Sequence, residues 1–174
     1  MNRKIGIDYG RKRTGIAVSD PLGVFASPLG TVPGSGVLDF LREYAESETI
    51  TDFVVGWPKN LDDTPAEAAS DVESFLAELE KAFPGIPVHL EDERFTSVLA
   101  HRAMVDGGMK ASDRRDKASV DKISAAIILQ GYLDRLAGPS ASGTGFAPDM
   151  VAVPESRMRK KTGKRILNHI KTID

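Results

Sequence analysis

"KIGIDYGRKRTGIAVSD", residues 4–20, decides the fold. A short apolar run carrying Ile5 and Ile7 delivers Asp8 into a turn that holds Gly10, Gly15, Arg11, Lys12 and Arg13. A core strand has no use for Asp8, and a solvated turn has no use for the isoleucines before it. The stretch therefore reads as a strand that ends in a site. Residues 3–9 and 13–19 flank the turn as two strands of a hairpin, and the run over 23–32 extends them to a three-stranded antiparallel meander.

Working outward, residues 37–46 repeat Val37, Leu38, Leu41, Tyr44 and Ala45 at helical spacing. "TDFVVGWP" is a continuous apolar run of the kind buried on both faces of a sheet. Residues 65–83 follow as an amphipathic helix with Pro65 in its first turn. "IPVHLEDE" is the next strand, 97–106 a helix closed by Gly107 and Gly108, and 119–136 the last helix. Alternation in the second half implies parallel strands. The expected fold class is α/β, a mixed five-stranded sheet with three antiparallel and then parallel strands, flanked by helices. Residues 1–137 form the expected domain, and 138–174 a small-residue linker followed by a basic tail.

Composition narrows the chemistry. The 174 residues include no cysteine, which excludes disulfides, thiolate metal sites and a thiol nucleophile. No apolar run approaches the ~18 residues of a membrane span, so a cytoplasmic protein with no membrane partner is expected. The net charge of −2 hides an asymmetry: residues 138–174 hold seven of the 23 cations and three of the 25 acids, leaving 16 cations against 22 acids in residues 1–137. An acidic body suits a nucleic-acid binder only if its acids gather around metal ions.

Three places carry such acids: Asp8 at the end of the first strand, Asp92 and Glu93 at the end of "PVHLEDE", and Asp121 in the first turn of the last helix. Each has an ordinary structural reading as well. Asp8 suits a turn, Glu93 an exposed strand end paired to Arg94, and Asp121 a helix N-terminus favoured by the dipole. Together they mean more, because ligands of open sheets gather beyond the carboxyl ends of parallel strands. Converging carboxylates need a compensating cation, and hard oxygen ligands favour Mg²⁺ or Mn²⁺. Asp92 and Glu93 point to opposite faces of their strand, so which of them faces the metals stays open. Arg11, Lys12, Arg13, Arg94, Arg114, Arg115 and Lys117 stand beside these acids, as phosphate contacts would.

"GIDYGRKRTGIAVSD", "VVGWPKNLDDT", "EDERFTS" and "VDKISAAIILQGYLD", in this order, resemble the YqgF/RuvX family of Holliday junction resolvases, also described as pre-16S rRNA nucleases. The resemblance spans about residues 3–136. It implies an RNase H-like fold and a metal-dependent nuclease whose acids are Asp8, Glu93 and Asp121. It further implies roles at substrate phosphate for Lys12 and Arg13, and a role for Asn60 in the loop after the fourth strand. The implied partner is an rRNA precursor or branched DNA, handled by a monomer or a homodimer. "NLDDT" departs from the family pattern, with Asp63 where a glycine is common. An actin-like or sugar-kinase ATPase also begins with GIDxG but needs a second lobe and phosphate loop. A nucleic-acid-binding module with structural acids is the other alternative.

Overall fold

The computed structural model describes residues 1–59, 68–94 and 96–138. Asn60, Asp63, Pro65 and the basic tail over 139–174 lie outside the described residues. Five strands, β1 (Asn2–Asp8), β2 (Thr14–Ser19), β3 (Ala26–Val32), β4 (Thr49–Trp57) and β5 (Val88–Asp92), form one sheet in the order β3-β2-β1-β4-β5. β1, β2 and β3 pair antiparallel, and β4 and β5 add parallel to β1. The mixed sheet of three antiparallel and then parallel strands, with flanking helices, is the α/β architecture expected from the sequence.

Alternation along the strands sorts the two faces. Ile5, Ile7, Phe53 and Val55 pack with Val37, Phe40, Leu41 and Tyr44 of α1 (Val37–Ala45) and with Val72, Phe75 and Leu79 of α2 (Ala69–Ala82). Ala17 and Val54 pack on the other face against Ala125, Ile128 and Leu129 of α5 (Lys117–Ala137). β4 is thus covered on both sides, which explains its unbroken apolar run. α3 (Thr96–Asp106) leans on α5 through Ala100, Met104 and Ile123. The short α4 (Ala111–Arg114) buries none of its residues.

α5 departs from its expected start. Asp116 is its N-cap, accepting from the N–H groups of Ala118 and Ser119, so the helix begins at Lys117 and Asp121 lies in its second turn. The dipole reading of Asp121 fails for this reason: the acid that satisfies the helix N-terminus is Asp116. α5 also sits unusually close to the sheet. A Cβ on Gly15 would stand 2.0 Å from the Asp121 carbonyl oxygen, and one on Gly6 2.7 Å from that of Ala125. Glycine inside these strands is what lets the helix backbone come down onto them. Among the described residues no helix is long and apolar enough to cross a membrane.

Candidate active site

Strand periodicity answers the question raised by the first strand. Ile5 and Ile7 enter the α1/α2 core, while Gly6 faces α5, so Asp8, two residues on, also faces α5. Asp8 pairs with Gly15 across the antiparallel ladder, and Gly15 is where the α5 backbone rests at Asp121. The register therefore brings the last residue of β1 beside the second turn of α5.

The third acid arrives from the neighbouring strand. Trp57 pairs with Asp92, and the Glu93 N–H donates to the Trp57 carbonyl at 3.3 Å. A Cβ on Gly56 would meet Glu93 Oε2 at 2.5 Å and Ile128 Cδ1 at 2.7 Å. The Glu93 carboxyl thus lies over Gly56 against α5. Asp92 is turned the other way: its carboxylate accepts from the Arg94 backbone N–H at 2.9 Å and from Arg94 Nη2 at 2.7 Å, which holds it below its usual pKa. Arg94 is therefore the partner of Asp92 and not of Glu93, contrary to the strand-end reading.

Burial dominates the electrostatics of the pair that remains. Desolvation holds the Asp8 carboxyl well above the ordinary aspartate range, with the charges of Glu93 and then Asp121 adding to it. Glu93 is pushed up to about 7, again first by burial, with its hydrogen bond to Asp8 pulling the other way and the charge of Asp92 adding. Asp8 and Glu93 thus each disfavour the other's charge, and both carboxyls are held toward the protonated form. Asp121 accepts from Arg13 Nε at 2.8 Å. Among the described residues no three acidic or histidine side chains close into one ligand set. The donor set nonetheless suits a hard divalent ion: carboxylate oxygens, two of them half-buried and disfavouring each other's charge, which a cation would balance.

A cavity of about 360 Å³ opens beside Asp8 and Asp121, lined by residues 9–13, Ala68 and Asp71. Its loop is braced from several sides. Tyr9 stacks on Phe75 at 4.2 Å, the Thr14 hydroxyl donates to the Gly10 carbonyl at 3.3 Å, and the Gly34 N–H donates to the Lys12 carbonyl at 3.4 Å. Its three cations separate by partner. Arg11 pairs with Asp71 at 2.5 Å and Arg13 with Asp121, whereas Lys12 has no ion pair among the described residues.

Several features escaped the sequence reading. Gly15 and Gly56 shape the site by what they leave out, a role that a glycine within a strand pattern signals. Ser124, one turn beyond Asp121 on α5, is 1% exposed and its hydroxyl has no hydrogen-bond partner among the described residues. The Arg11–Asp71 pair joins residues 60 positions apart, for which no local pattern exists.

The chain is similar to several known proteins. The family model described as "RuvX: Holliday junction resolvase" matches residues 2–135. A Phocaeicola vulgatus protein named "Putative pre-16S rRNA nuclease" is 51% identical over 134 residues, covering 77% of this chain and 96% of its own length. A Bacteroides fragilis protein of the same name is 49% identical over 134 residues, covering 77% of this chain and 97% of its own. Among solved structures, T. thermophilus RuvC in complex with a Holliday junction substrate aligns at 15% identity and a TM-score of 0.46, over 79% of this chain and 97% of that one. With the family model spanning the whole described fold and relatives near half identical, the chain belongs to the RuvX family.

Proposed function

We propose that this protein is a Mg²⁺- or Mn²⁺-dependent endonuclease that hydrolyses phosphodiester bonds of structured nucleic acid, and that it acts on the 5′ end of the 16S rRNA precursor. The observation that carries this reading is the half-buried Asp8–Glu93 carboxyl pair with Asp121 beside it, a cluster of acids that disfavour one another's charge and suit a cation. Asp8, Glu93 and Asp121 would hold the metal, Asp92 being committed to Arg94. When bound, such ions activate the attacking water and stabilise the leaving oxygen.

The chain's own residues supply the rest. Lys12 presents a charge over the cavity with no acid paired to it among the described residues, which suits a phosphate. The braced loop keeps that charge in place before substrate arrives, so little ordering is needed on binding. Arg13 and Arg94 are reserve phosphate contacts that must first leave Asp121 and Asp92. Asn60 belongs to the same proposal by the family resemblance alone. The basic tail adds sequence-independent affinity for the backbone.

The relatives' name favours the rRNA reading. The family description favours a second one, resolution of a Holliday junction, which calls for two sites related by a two-fold axis. Cleavage of a pre-16S fragment and of a four-way junction, side by side and with the association state measured, separates the two. In both, Asp8→Asn lowers Mn²⁺-dependent cleavage by several orders of magnitude with the fold intact. Wild-type turnover in that variant rejects the active-site assignment and leaves a binding module.

A further inference from the structure

We propose that Arg13 is the displaceable counter-ion of Asp121: it holds this carboxylate in the metal-free protein, competes with a divalent ion for it, and on release turns to the substrate phosphate. The inference rests on the metal-dependent reading above and assigns a positioning role to a residue outside the acidic set.

Three observations carry it. Arg13 donates to Asp121 through Nε at 2.8 Å, a charge-assisted bond of ordinary length, with both side chains about a quarter exposed, 29% and 24%. Such a pair is strong enough to matter and accessible enough to break. Both backbones are closely seated: a Cβ on Gly10 would stand 2.6 Å from the Arg13 carbonyl oxygen, and the α5 backbone at Asp121 rests on Gly15. The exchange asks for movement of the two side chains only.

A cation bound at Asp8, Glu93 and Asp121 would stand within a few ångströms of the guanidinium, and two such like charges repel by several kcal/mol at the dielectric typical of protein sites. Sharing one carboxylate between them is the unfavourable arrangement. The guanidinium would then turn into the cavity that it already lines together with Lys12. A phosphate there gives the released Arg13 a new partner. Metal and nucleic acid then strengthen each other's binding, and by linkage they do so equally.

The test uses the full chain without nucleic acid, titrated with Mn²⁺ and read by calorimetry and by the paramagnetic resonance of free ion. Arg13→Gln is expected to bind Mn²⁺ about two- to fivefold more tightly than wild type, the range that loss of a partly exposed pair allows, with Arg13→Lys between them. In an Asp121→Asn background, Arg13→Gln adds nothing. In the wild type, the Arg13 Nε–H resonance is slow to exchange in chelator and loses that protection when Mg²⁺ is added. Equal or weaker Mn²⁺ binding by Arg13→Gln overturns the competition, as does an Arg13 resonance that does not respond while Mg²⁺ binds. Should the wild type bind no Mn²⁺ at millimolar concentration, the metal-dependent reading falls and the competition with it.

Discussion

Replacing Glu93 by glutamine is expected to stabilise the metal-free protein while removing the proposed nuclease activity. Burial raises the Glu93 carboxyl from 4.5 to about 7, so the folded state keeps a proton through a window in which the unfolded chain has lost it. Stability therefore falls as pH rises across that window, and above it the full penalty applies, roughly 3 kcal/mol for a shift of this size. Glutamine is neutral and of the same shape, and its amide N–H can donate to Asp8. In chelator at about pH 8 the variant should gain about 1–3 kcal/mol, or roughly 2–12 °C in Tm for a chain of this length. At about pH 4, below the window, the gain disappears. Urea unfolding at both pH values reads this as a shift in midpoint at constant slope. Excess Mg²⁺ is expected to reverse the order, because on the proposed reading the wild type would gain stability from the bound ion and the variant would not. An equal or lower midpoint for Glu93→Gln at the higher pH, or the same gain at both, refutes the reasoning.

Lys12→Ala is expected to weaken nucleic-acid binding by a similar factor for all sequences and to reduce the salt slope by about 1, raising KM with little change in kcat; an unchanged slope removes Lys12 from the interface. Gly15→Ala forces a Cβ to within 2.0 Å of the Asp121 carbonyl, and since only backbone lies in the way it should destabilise by about 3 kcal/mol, at the upper end of overpacking, in thermal unfolding. Deleting residues 139–174 should lower affinity and flatten its salt dependence without changing the metal requirement; unchanged binding rejects the role given to the tail.

Much of the fold was legible because its signals are local. Ile5 and Ile7 against Asp8, and the run from Phe53 to Val55, reveal which strands are covered on one face and which on both. Helix starts were less legible: the apolar stripe of α5 begins after its cap, so Asp116 passed unnoticed and Asp121 looked like a first-turn acid. α4 has no buried residue to mark it. For the site, residue types pointed to the acids but not to their orientation. β5 is an edge strand with no fully buried residue, so its alternation does not distinguish Asp92 from Glu93. Only the seating of α5 near Gly56 decides. Nor does any sequence pattern couple Arg13 to Asp121, 108 residues apart.

The most direct measurement is anomalous diffraction from crystals of the wild-type protein soaked in Mn²⁺. A peak about 2.1–2.2 Å from carboxylate oxygens of Asp8, Glu93 and Asp121, ordinary bonding distances for such an ion, is the result expected. A peak at Asp92 and Arg94's loop instead, or none between β1 and α5 at saturating ion, contradicts the account.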